Sequence, residues 1–153
     1  MKALVVYDSV YGNTERIANA IAGAIVPSGE VKAVRAGEAS VSELQSIQLL
    51  IVGSPVQGGR ATEAVQAFLK SIPANGLANI SVATFDTRMA MRFAKLFGNA
   101  AERMAKSVKE KRANLVAPPE GFVVEGKEGP LREGELERAA AWAKGIVEGR
   151  RTT

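Results

Sequence analysis

Mostly apolar stretches recur along the chain, and amphipathic ones separate them. In the first, Lys2–Tyr7, the residues Ala3-Leu4-Val5-Val6-Tyr7 are apolar without a break, as a strand covered on both faces requires. Val31–Arg35 alternates apolar and charged residues and so reads as an edge strand. Leu49-Leu50-Ile51-Val52-Gly53 is the most apolar run and is expected at the centre of a sheet, with Ile80–Phe85 as the fourth strand. The fifth reads as split, Leu115-Val116 and then Phe122-Val123-Val124, because Pro118-Pro119 interrupts it. Helical spacing of apolar residues predicts helices over about Asn13–Ile25, Thr62–Ile72, Asn99–Arg112 and Glu133–Glu148, the last stopping at Gly149. A short helix follows the capping box that Ser40 opens and Glu43 completes.

Strands that alternate with helices predict an α/β protein with a parallel sheet covered on both faces. The length suits one domain, taken as 1–149, with 150–153 as a loose tail. Sheets of this class take ligands beyond the C-terminal ends of their strands, where the strand order reverses. The loops after Tyr7, Val52 and Ala83 are therefore the ones to inspect.

The loop after Tyr7 runs through Ser9, Val10, Tyr11, Gly12, Asn13 and Thr14 into the first helix. The leading N–H groups of a helix lack internal partners, and the helix dipole adds roughly half a positive charge beside them. Ser9 and Thr14 offer hydroxyls and Asn13 an amide, while Gly12 lets the main chain approach a phosphate. No Lys or Arg lies between Ser9 and Thr14, so a phosphate here would be held by neutral donors. The same residues also fit an ordinary strand-to-helix turn capped by Asn13 or Thr14.

Ser9-x-Tyr11-Gly12-Asn13-Thr14 at the first strand-to-helix turn resembles the flavodoxin signature, in which this loop wraps the phosphate of FMN. Neither the dinucleotide Gly-x-Gly-x-x-Gly nor a P-loop occurs in the chain. The resemblance implies a flavodoxin-like, three-layer, doubly wound sandwich with a five-stranded parallel sheet in the order 2-1-3-4-5. It also implies FMN as cofactor and electron transfer between partner proteins.

By position, Ser54, Pro55, Val56, Gln57, Gly58, Gly59 and Arg60 resemble the flavodoxin loop that packs on one face of the flavin ring, although no aromatic residue stands there. The glycines leave room for a flat ring, and Arg60 is either a contact to an anionic group or a solvated charge. After strand 4, Phe85, Asp86, Thr87 and Arg88 are the candidates to clamp the ring's polar edge, with turn chemistry as the alternative for Asp86 and Thr87. The tyrosine that covers the other ring face in flavodoxins is missing. The apolar segment from Met89 to Gly98 reads as core packing, with a lid or a dimer patch as alternatives. Glu133, Glu135 and Glu137 complement the dipole of the last helix and are not a catalytic pair. Trp142 falls in register with Leu136, Ala139 and Ile146 and is expected in the core.

Composition narrows the chemistry. Without Cys or His the chain has no disulfide, thiolate, imidazole acid–base group or common zinc set, so an enzyme built from it must borrow a cofactor. The net charge of +4 favours anionic partners, yet aromatics make up only 5% and are not interleaved with the basic residues, which argues against nucleic acid. No apolar run approaches the ~20 residues of a membrane span. Met1-Lys2 leads straight into a strand, so a cytoplasmic protein is expected, as monomer or homodimer. A basic surface is compatible with peripheral contact to an anionic membrane. The expected partner is a redox protein or a quinone. Two further functions stay open: an FMN-dependent oxidoreductase acting on a quinone, NAD(P)H or protoporphyrinogen, and a flavodoxin-fold module that has lost FMN. A response-regulator receiver is excluded, because Gly53-Ser54-Pro55 stands where that fold needs an Asp.

Overall fold

The computed structural model describes residues 1–90 and 99–152. Strands β1 (Lys2–Tyr7), β2 (Glu30–Arg35), β3 (Leu49–Pro55), β4 (Ser81–Met89), β5 (Asn114–Leu115) and β6 (Glu120–Val124) form one sheet. Its order is β2-β1-β3-β4-β5, with β6 also on β4, and every strand pair is parallel. The described α-helices are α1 (Asn13–Ile25), α2 (Glu63–Ser71), α3 (Ala100–Glu110) and α4 (Glu135–Thr152).

Both faces of the sheet are buried, which is why its central strands read as apolar runs, while the edge strand β2 alternates. Leu4, Val6, Leu50, Val52 and Val82 point to the side of α2 and α3 and pack with Val65, Phe68, Leu69, Met104 and Val108. Their neighbours Ala3, Val5, Leu49, Ile51, Ala83 and Phe85 point the other way, onto Ile17, Ile21, Ile25, Ala139 and Ala143 of α1 and α4. Each large aliphatic side chain buried in this manner contributes about 1.5–3 kcal/mol. Phe85, Phe122 and Trp142 meet edge to face at centroid separations of 5.9–6.2 Å, so the sole Trp is core, as its register implies. Gly53 leaves the space that the Phe85 ring fills; a Cβ there would strike that ring.

The split fifth strand is as expected: β5 pairs with Ser81 and Val82, and β6 resumes against Phe85–Met89. The capping box is present, with Ser40 Oγ accepting from the main chain and Glu43 reaching back to the Ser40 N–H, but the turn that follows, Val41–Ser46, is a 3₁₀ helix. Thr62 caps α2 through its hydroxyl. Helix α4 runs through the expected stop at Gly149 to Thr152, where a loose tail was expected.

Two boundaries shift in ways that matter for the site. Strand β3 extends through Ser54 and Pro55, which pair with Asp86 and Thr87, and β4 extends through Met89. Residues expected to be loops are thus rungs of the sheet. Of the apolar segment from Met89 to Gly98, only Met89 and Ala90 belong to the described residues; the remainder, and the choice among core, lid and dimer patch, lies outside them.

Candidate functional site

At the C-terminal end of β1 the chain turns through Asp8–Gly12 into α1. Gly12, the N-cap, has φ 91°, a left-handed conformation that glycine adopts without strain. Ser9 Oγ accepts from the N–H groups of Gly12 (3.1 Å) and Glu15 (3.3 Å), so its own hydroxyl hydrogen is directed elsewhere. The Thr14 and Thr87 hydroxyls lie 2.7 Å apart, both buried; one donates to the other, and the second hydrogen remains. Among the described residues, the N–H groups of Val10, Tyr11, Asn13 and Thr14 have no protein acceptor. Uncharged donors therefore converge at the positive end of a helix, which is the chemistry an anionic oxygen cluster requires.

Sequence reasoning missed what holds this loop in place. Arg35, at the end of β2, donates to the Ser9 carbonyl (3.0 Å) and to Glu15 (3.1 Å), and lies 3.6 Å from Asp8. Its guanidinium also covers the Tyr7 ring at 5.5 Å. The Tyr7 hydroxyl donates to Glu15 at 2.9 Å, and burial together with that carboxylate pushes its pKa up. A cation does stand beside the loop, but Asp8 and Glu15 share it, so the face of the loop remains one of neutral donors. From the far side, the Asn13 amide donates to the Glu128 carbonyl at 3.2 Å. A Cβ at Gly129 would press on Asn13. Neither Arg35 nor the turn around Glu128 has a local sequence signal, because each is joined to the loop only by the fold.

The loop after β3 is shorter than expected. Ser54 is buried and its hydroxyl is committed, donating to the Pro55 carbonyl at 2.8 Å and accepting from the Thr62 N–H at 3.0 Å. Val56 N–H bonds to the Thr87 carbonyl, and Gln57 and Arg60 exchange main-chain hydrogen bonds across Gly58 and Gly59. Those glycines have φ of 58° and 80°, so the tight turn itself demands them. Arg60 is exposed beyond it.

The candidates on β4 need correction. Phe85 does not face the loops; its ring is in the core. Asp86 is fully buried and engages Arg88 through both oxygens (2.6 and 2.9 Å) while accepting the Ala101 N–H at 2.9 Å. Burial pushes the Asp86 carboxyl up, and the guanidinium and that N–H offset only part of the effect. The pair anchors the first turn of α3, assisted by Thr84, whose hydroxyl donates to the Ala101 carbonyl at 2.8 Å. Polar residues that read as a ring clamp are instead a buried tether, and of the four only Thr87 reaches the first loop. Val10, Tyr11 and Met89 are exposed by 53%, 47% and 39% and give this end of the sheet an apolar rim. Among the described residues no cluster of carboxylates could hold a metal ion, and no helix is long and apolar enough to cross a membrane.

The model of a flavodoxin domain family matches residues 4–126. Flavodoxin 2 from Bacillus cereus is 25% identical, with 97% of this chain and 99% of that one covered and a TM-score of 0.81. A flavodoxin from the domain Archaea is 21% identical over 99% of both chains, with a TM-score of 0.78. Rubredoxin oxygen:oxidoreductase from Desulfovibrio gigas is also 21% identical, TM-score 0.78, but the 99% of this chain that aligns covers only 36% of that protein. No match was found among curated proteins. With the family match spanning most of its length and the sheet in the order 2-1-3-4-5, this chain belongs to the flavodoxin domain family.

Proposed function

We propose that the chain binds FMN at the C-terminal ends of β1, β3 and β4 and carries electrons between protein partners. The observation that supports this most is the loop Ser9–Thr14, where unpaired N–H groups and hydroxyl hydrogens converge at the α1 N-terminus. That donor set fits a phosphomonoester and offers nothing to a cation. When bound, FMN supplies reversible one- and two-electron chemistry that no side chain of a protein without Cys or His provides. Ser9, Thr14 and the N–H groups of Val10, Tyr11, Asn13 and Thr14 would hold its phosphate. Arg35 and Asn13 keep the loop in shape. Val56 and the Gln57–Arg60 turn on one side, and Tyr11 with Met89 on the other, exclude water from the ring.

Mixing the protein with FMN tests this. Flavin fluorescence is expected to be quenched, with about a tenfold weaker Kd for Ser9→Ala and again for Thr14→Val, the loss that follows from removing one hydrogen bond to a charged group. Undiminished fluorescence at excess protein overturns the reading. Arg88 is paired with Asp86, so among the described residues of the loops after β3 and β4 Arg60 is the cation left to act on the ring. A less negative reduction potential than that of acidic flavodoxins follows, and Arg60→Glu is expected to lower it in a redox titration.

The second reading is a flavin oxidoreductase acting on a quinone; the likeness to one part of a larger oxygen:oxidoreductase concerns the fold. Turnover of a quinone by the reduced protein without any partner would favour it over a carrier.

A further inference from the structure

The net positive charge of this protein is carried by two segments on one face of the sheet. The segments 60–71 and 99–112, which carry α2 and α3, hold Arg60, Lys70, Arg103, Lys106, Lys109, Lys111 and Arg112 against Glu63, Glu102 and Glu110. Their balance of +4 equals that of the whole chain, so everything else sums to zero. The ion pairs among the described residues use Lys32, Arg35, Arg88, Arg132 and Arg138. Arg60, Lys70, Lys106, Lys109 and Arg112 take part in none of them. Between α2 and α3 runs a groove of about 490 Å³ with Ala61, Leu69 and Met104 on its floor, and with Arg60, Lys70, Arg103 and Lys111 against the single acid Glu110 on its rims. One end opens at Arg60, in the turn next to the candidate cofactor loop.

We infer that the α2–α3 groove is a docking surface for an acidic amphipathic helix of a partner protein. Its carboxylates meet the rim cations, and its apolar stripe rests on Leu69 and Met104. A membrane is a poorer match, because the surface is concave and, among the described residues, the large exposed hydrophobics Met1, Val10, Tyr11, Val26 and Met89 all lie off α2 and α3. Nucleic acid is also a poorer match, because the one aromatic of the two helices, Phe68, is buried and no stacking platform is presented. The groove stands on its own observations; only its usefulness, leading a partner to the cofactor end of the sheet, rests on the FMN reading.

The test titrates the isotope-labelled full chain with a synthetic helix bearing Leu at positions three and four apart and Glu elsewhere, followed by NMR shift mapping with and without FMN. Shifts along α2 and α3 are expected. Arg60→Glu/Lys70→Glu, which reverses two rim cations, is expected to weaken binding about tenfold at low salt, whereas Lys2→Glu/Lys144→Glu, with the same net charge, leaves it nearly unchanged. Replacing Leu by Ser in the helix is expected to weaken binding by a similar factor. Shifts elsewhere, equal effects of the two charge-reversal pairs, or equal binding of the Leu-free helix overturn the proposal. So does tighter binding of this face to phosphatidylglycerol vesicles or to a short DNA duplex. A chain that fails to bind FMN leaves these outcomes readable.

Discussion

The two faces of the sheet are covered by different means. On one, α1 and α4 pack directly on each other, and Arg138 ties α4 to β6 through Glu135, Glu120 and the Gly121 carbonyl. On the other, α2 and α3 touch at few positions, and a buried Asp86–Arg88 pair anchors α3. A face closed by apolar contact can neutralise its charges internally. On the open face Arg60, Lys70, Lys106, Lys109 and Arg112 enter none of the ion pairs given above.

The largest expected effect tests the closed face. Phe122→Ala removes a fully buried ring that packs edge to face on both Phe85 and Trp142 and is expected to cost about 3–5 kcal/mol in chemical denaturation. Asp86→Ala should cost about 3 kcal/mol, because it strands a half-buried guanidinium and the Ala101 N–H; a loss as small as that of a surface mutation would show that the open face needs no tether.

Next comes Glu135→Gln, at about 1 kcal/mol near neutral pH. Arg138 and the Val123 N–H hold the Glu135 carboxyl below its usual value, so its stabilisation is present above the ordinary glutamate range and is lost as pH falls through the depressed pKa. The wild type should therefore lose stability on acidification while the variant changes less. Asp86 acts in the opposite sense: its raised pKa means that stability falls as pH climbs from the ordinary aspartate value through the raised one, a slope that Asp86→Asn removes. The smallest effect belongs to Arg60→Glu/Lys70→Glu, which should shift stability by no more than about 0.5 kcal/mol per site if those exposed cations serve binding and not folding.

What the sequence disclosed follows the same division between local and distant causes. Helix α1, the split edge at Pro118-Pro119 and the Ser40 capping box depend on residues within a few positions of one another, and each was readable. Strand β4 was cut short because Asp86, Thr87 and Arg88 have the composition of a turn. What keeps them in the sheet is a helix N-terminus at Ala101 and a hydroxyl at Thr14, neither of which is visible from the strand. Arg35 was missed for the same reason, since it reaches Ser9 only once β2 lies beside β1. The glycines at 58 and 59 were noticed for the right loop, but the turn needs them for their backbone angles.

The break between β5 and β6 has a consequence for how copies of this protein meet. A continuous outer strand would present a long unsatisfied ladder to any neighbour, the usual seed of fibrous self-association. Here a passing chain finds two residues, then a kink at Pro118-Pro119, then five more. At the opposite margin, Glu30 and Lys32 place charge along β2. Both flanks of the sheet are thereby poor templates for intermolecular strand pairing.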